Sequence, residues 1–198
     1  ALGGGQNNTI TNCSAFLGGG LSNTVSGAQS AIVGGSGSLA SGACSFIGGG
    51  QGNCVTGLGS VVVGGLNNIN CGSCYTAVLS GLNNCISTVA ACLGTAILSG
   101  ESNTISGGYR SVIVGGWLNT TCNMSFAAIG GGRGHVITGW YGAVASGWSN
   151  TAGGSAFVGG GKSNTASNLY SAILGGTGNT ASGACSFIGG GLSNTASG

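Results

Sequence analysis

The chain reads as an all-β protein: a parallel β-solenoid of about thirteen coils, with two short strands per coil, Gly-rich corners and an inward Asn ladder. Three observations predict this. First, one pair of phrases recurs along the chain. Ser171 to Gly198 reads SAILGGTGNTASGAC then SFIGGGLSNTASG, and Ser30 to Gly57 reads SAIVGGSGSLASGAC then SFIGGGQGNCVTG. Second, glycine occupies a fixed place in every unit. Third, one polar column returns with each repeat.

Taking the last apolar residue before the glycines as an anchor gives Leu2, Leu17, Val33, Ile47, Val63, Leu79, Leu98, Val114, Ile129, Ala145, Val158, Leu174 and Ile188, in steps of 13 to 19 residues. Such a period is too short for a helical-hairpin repeat and carries no heptad. Glycine in every unit argues against helix as well, at a cost of about 1 kcal/mol each. What remains is two β-like runs per unit, such as Ala172-Ile173-Leu174 and Asn179-Thr180-Ala181-Ser182, separated by Gly-rich turns. Counted from the anchors, SAILGG reaches its Asn in five residues and SFIGGG in six, which predicts alternating short and long coils. That alternation lapses between Val63 and Val114, where the 19-residue step lies, so an interruption of the rod is expected there.

Five or six residues after each anchor comes the polar column. Eleven of its thirteen members are Asn: Asn8, Asn23, Asn53, Asn68, Asn84, Asn103, Asn119, Asn150, Asn164, Asn179 and Asn194; Ser38 and His135 fill the other two places. Asn side chains stacked one coil above another can pass amide hydrogen bonds along the stack, as polar ladders in cross-β structures do. The Ala-Ile-Val and Ser-Phe-Ile runs are apolar on both faces of a strand. One face fills the coil's own core, so the other needs cover.

Composition narrows the function classes. Only Glu101, Arg110, Arg133 and Lys162 carry full charge, 2% of 198 residues, against about 25% in an ordinary soluble domain. A surface so poor in charge tends to associate. A net charge of +2 supplies no basic stripe for nucleic acid, and no apolar run approaches the roughly 20 residues that span a bilayer. Glycine is abundant (47) and proline absent, yet 41% of residues are apolar and regularly placed, unlike a disordered chain. The whole of 1–198 reads as one repeat array. It opens inside one repeat and closes at the end of another, without an initiating Met or a signal peptide, as a segment of a longer chain would.

Few residues invite chemistry. With one acid and one histidine, no general acid–base pair or triad can be assembled, so neither catalysis nor a cofactor is expected. His135 reads as a substitute in the Asn column. The nine cysteines mostly sit on repeat positions: Cys54 and Cys85 in a Thr slot, Cys44 and Cys185 in a Ser slot before the apolar run, as small buried residues. Cys71-Gly-Ser-Cys74 lacks the second CxxC or His of a zinc site. Cys74 and Cys92 fall at similar places in successive coils, which makes them the candidate disulfide. Asn7, Asn12, Asn119 and Asn123 head N-x-Ser/Thr sequons and are candidate glycosylation sites. Tyr75, Tyr109, Trp140, Tyr141 and Tyr170 lie in turns before apolar runs, and Trp117 and Trp148 follow Gly corners. They read as corner covers or as a sugar-binding strip.

The phrase Ser-Ala-Ile-x-Gly-x-x-x-Asn-x-Ala-Ser-Gly-x-x-Ser resembles the head repeats of trimeric autotransporter adhesins, which read S-x-A-x-G-x-x-S-V-A-I-G. The resemblance covers nearly the whole chain on a short motif. It implies a left-handed β-roll, three chains side by side, and a host-surface glycan or protein as partner. The Gly-Gly-Gly-x-x-Asn-Thr-Ala-Ser-Gly phrase is also similar to repeats of bacterial, phage and large-virus fibre proteins. The slightly longer coil, doubled Gly, Asn-Thr pair and cysteines depart from the adhesin heads.

The expectation is therefore a non-enzymatic structural protein of an extracellular, cell-surface or virion-surface fibre. Its partner is itself, as a trimer or filament, with no nucleic acid and no membrane within the segment. An adhesin or receptor-binding head is the alternative. Ice binding is a lesser one, suggested by Thr9-Ile10-Thr11, Thr24-Val25-Ser26 and Thr104-Ile105-Ser106 but interrupted at Leu39, Cys54, Ile69, Cys85 and Val136.

Overall fold

The computed structural model describes residues 1–72, 74–87, 94–122 and 125–198. Among them 25 strands of two or three residues follow one another, from β1 (Thr9–Ile10), β2 (Phe16–Leu17) and β3 (Thr24–Val25) to β24 (Phe187–Ile188) and β25 (Thr195–Ala196), and no helix occurs. Odd-numbered strands build one sheet of 13 and even-numbered strands a second of 12. All pairings are parallel, each residue opposite its counterpart one coil away, as in Thr9↔Thr24 and Phe16↔Ala31. A third line of single-residue bridges runs along one corner from Gln6 through Leu21 and Ser36 to Leu192. The expected parallel β-solenoid is the fold.

Alternation along each strand turns one residue inward and the next outward. The 12-stranded sheet contributes Leu17, Ile32, Ile47, Val62 and so on to Ile188; the 13-stranded sheet contributes Val25, Ala40, Val55, Ile86 and their successors. These two columns are almost wholly buried and form one continuous core. Ala152, Ala166 and Ala181 against Val158, Ile173 and Ile188 keep that core thin. Two polar residues, Asn70 and Thr121, are fully buried in the inward column; Asn70 makes the more extensive contacts. Asn70 is satisfied there: its Nδ2 donates to the Val61 and Thr76 carbonyls, 3.0 Å each, and its Oδ1 accepts from the Thr76 hydroxyl.

The anchors of the sequence reading prove to be two different positions. Leu17, Ile47, Ile129, Val158 and Ile188 are core residues, whereas Val33, Val63, Val114 and Leu174 lie one residue past the core and are exposed. The inward residue beside Leu174 is Ile173, and Leu174 stands level with Gly159 of the preceding coil. From the buried strand residue to the Asn, both phrases then take the same course, Ile173 to Asn179 and Ile188 to Asn194. Successive ladder residues there lie 15 apart in both cases. Short and long coils are one coil, written with either an apolar residue or a glycine at an outward place.

The 19-residue step between Asn84 and Asn103 also behaves differently from expectation. Cys85 still pairs with Thr104 and Ala77 with Ala96, so both sheets pass the step in register. The extra residues fall between the strands Cys85–Ser87 and Ala96–Ile97.

One glycine column is obligatory. Gly35 has φ +98°, and a Cβ there would collide with the Gly50 carbonyl of the next coil. The equivalent residue is glycine in every coil, from Gly5 to Gly191, always three before the ladder position. Its neighbour Gly34 faces open space.

Candidate functional site

The Asn column is an inward ladder. Asn103 shows the pattern: its Oδ1 accepts the Asn119 N–H at 3.0 Å, and its Nδ2 donates to the carbonyls of Gly116 (2.9 Å) and Ser99 (3.3 Å). Nearly the same set recurs at Asn23, Asn53, Asn68, Asn84, Asn119, Asn150, Asn164 and Asn179, beginning at Asn8 and reaching Asn194. Ser38 keeps the acceptor, its Oγ receiving the Asn53 N–H at 3.3 Å, but its hydroxyl donates to the Ser36 carbonyl (3.4 Å) instead of to the two corner carbonyls an Asn reaches. His135 accepts the Asn150 N–H on Nδ1 at 3.0 Å, and burial holds its pKa below the ordinary 6.5. The ring is thus neutral at neutral pH, with its proton on Nε2.

The sequon residues part company. Asn7 sits at an exposed corner with φ +56°, and Asn12 is half-buried, its Oδ1 accepting the Ser14 N–H. Asn119 corrects the glycosylation expectation: it is fully buried and its Nδ2 donates to the Gly115 and Gly132 carbonyls, leaving no nitrogen for a glycan. Asn123 lies outside the described residues, as does Cys92, and with it the expected Cys74–Cys92 pair.

The described cysteines are free. Cys54, Cys71 and Cys85 share the outward face of the 13-stranded sheet. Burial pushes the Cys54 and Cys85 thiols up, and Cys71 adds to both shifts, so both are protonated at neutral pH. Cys44 and Cys185 are not in the buried Ser slot. Ser45 and Ser186 fill it, while the two cysteines occupy exposed left-handed corners at φ +55° and +59°. Among the described residues no group of three or more His, Cys, Asp or Glu is placed to hold a metal. The outward hydroxyl column that ice binding requires is broken at four consecutive rungs, Leu39, Cys54, Ile69 and Cys85.

The most distinctive cluster is one the sequence reading divided. On the corner line of single bridges, consecutive rungs are Glu101, Trp117, Arg133, Trp148 and Lys162. All five are exposed. The Arg133 guanidinium lies 4.0 Å from the Trp117 ring centre and 5.4 Å from that of Trp148, and the Lys162 ammonium lies 4.4 Å from Trp148. Two of the chain's three cations and two of its three tryptophans thus form one stack, with Glu101 on the rung before it. Each member stands two residues before a ladder residue (Asn103, Asn119, His135, Asn150, Asn164), a spacing that would have revealed it. Farther along the line, Leu21, Ser22, Ser36, Gly37, Gln51, Gly52 and Asn67 border an open groove of about 300 Å³. The opposite corner carries a smaller stack: Phe126 on Tyr141 at 4.8 Å and 7°, with Arg110 5.7 Å from the Phe126 ring.

Fold and side chains together define a class, a β-solenoid repeat protein whose short-strand coils are consistent with a β-roll. No protein-family model matches the chain, and no curated protein matches it.

Proposed function

We propose that the chain is a structural segment of an extracellular or virion-surface fibre, assembled by self-association through the outward face of its 12-stranded sheet. One observation carries the reading. The outward strand position of that sheet is apolar in every coil: Phe16, Ala31, Phe46, Val61, Ala77, Ala96, Val112, Ala128, Ala143, Phe157, Ala172 and Phe187. Bulk is shared between neighbouring positions so that the face stays even. Phe16 and Phe46 lean over Gly18 and Gly48, at 3.5 Å from where a Cβ would stand, while Ala31 is followed two residues on by Val33. Phe16, Phe46, Phe157 and Phe187 remain 36–61% exposed. A long, even apolar strip on a chain with almost no repelling charge is the kind of surface that marks an interface.

Sedimentation at several dilutions, with electron microscopy, tests this. Elongated oligomers are expected, and Phe46→Ser with Phe157→Ser should release monomers of unchanged β content. A compact monomer that does not change on concentration would overturn it. An adhesin role is the second reading, favoured by the exposed Trp and cation stack, and a binding screen against host glycans and matrix proteins tests it.

A further inference from the structure

We propose that the Trp117–Arg133–Trp148–Lys162 line is a binding strip for an acidic polysaccharide, a linear sugar chain bearing carboxylate or sulfate groups. The inference stands apart from the fibre reading, because the strip is on the bridge corner and the self-association face is on the 12-stranded sheet.

Charge placement is the first argument. Arg133 and Lys162 flank Trp148 on the ladder, two coil steps apart, or about 10 Å. Like charges at that distance still repel at about 0.1 M salt. An anionic group held over Trp148 would be reached by both, and Glu101 stands away from it, beyond Trp117.

Hydrogen-bonding chemistry is the second. A guanidinium, an ammonium and two indoles are all donors and offer no acceptor. Among the described residues none of these four side chains makes a hydrogen bond or an ion pair. The contacts they do make, cation over ring, hold the heads in place without using their N–H groups. A preset row of unpaired donors favours a ligand rich in anionic acceptors and lowers the ordering cost of binding it.

Form points to a polymer. The strip presents one group per coil in a straight line, which suits a repeating linear chain. Thr177 continues the line next to Lys162 with a hydroxyl that pairs with sugar hydroxyls. Nucleic acid is the other linear polyanion the same two cations would meet, so DNA of matched charge is the competing outcome of the test.

The test is a fluorescence titration of the Trp140→Phe variant, in which Trp117 and Trp148 are the only tryptophans left. Probes are an oligogalacturonate, a heparin-derived oligosaccharide, an uncharged cello-oligosaccharide and single-stranded DNA of matched charge. One or both acidic sugars should change the emission with an affinity that falls as salt rises, and their ranking identifies the preferred anionic group. The uncharged sugar should leave the signal unchanged. Adding Arg133→Gln and Lys162→Thr should weaken acidic-sugar binding at least tenfold. Gln51 and Thr177 already occupy this line, so the fold tolerates both. No response to either acidic sugar, an unaltered affinity in the charge-removed variant, or tighter binding of the DNA or the neutral sugar would overturn the proposal. The same titration on the Phe46→Ser, Phe157→Ser background separates its failure from failure of the fibre reading.

Discussion

Replacing Asn103 by Ala asks how much one rung of the inner ladder contributes. Its Oδ1 is the acceptor for the Asn119 N–H at 3.0 Å, and its Nδ2 donates to the Ser99 carbonyl at 3.3 Å and the Gly116 carbonyl at 2.9 Å. The Gly116 carbonyl keeps a second donor, the Glu101 N–H at 2.9 Å. The Asn119 N–H therefore loses its partner inside a buried corner, while the carbonyl of the exposed Ser99 turns to solvent. Stranding one buried polar group puts the expected loss at about 1–3 kcal/mol. Denaturant unfolding followed by far-UV circular dichroism measures it, and amide exchange at Asn119 locates it. Asn103→Ser should lose less, because Ser38 shows that a hydroxyl in this column still receives the next coil's N–H. If Asn103→Ala cost under about 1 kcal/mol, or no more than Asn103→Ser, or left Asn119 exchange unchanged, the ladder would not be what holds the corner.

The converse change, Ser38→Asn, should stabilise by about 1–3 kcal/mol through two regained amide bonds, read as a higher denaturation midpoint. His135 makes stability depend on pH. Its folded pKa lies below the unfolded 6.5, so the unfolded chain takes up the proton first. The His135 contribution is intact above pH 6.5 and is lost as pH falls below it; His135→Asn should flatten that part of the profile, and identical profiles would refute the assignment. Glycine substitution separates two adjacent positions. Gly35→Ala meets the Gly50 carbonyl at φ +98° and should prevent folding or cost several kcal/mol, while Gly34→Ala, with nothing within 4 Å, should be neutral or stabilise by about 0.4–1 kcal/mol in the same unfolding assay.

The solenoid, its parallel stacking and the Asn ladder were legible because each demands one residue type at one place in every coil. An Asn inside a corner must satisfy three backbone groups, and few side chains can, so the column survives in the sequence. Register was harder to read. Leu174 and Gly159 occupy equivalent outward places, and the residue type there changes from coil to coil, so the last apolar residue before the glycines is no landmark. The corner line was hidden for the same reason. Gln6, Leu21, Ser36 and Thr177 all serve there, and a position that accepts anything leaves no pattern until it is counted from the ladder. Asn119 failed as a sequon because a three-residue motif carries no information about which side of the wall its side chain faces.

Every interior ladder residue bonds to the coil on either side of it, and the chain between rungs is 14, 15, 16 or 19 residues long without breaking the series. Surplus or missing residues are thus absorbed within one turn instead of shifting every turn that follows. Such a molecule can be lengthened or shortened by whole units, as unequal recombination between near-identical repeats would do, and each product keeps its columns aligned. Rod length becomes a trait that can vary from one generation to the next while the cross-section stays constant.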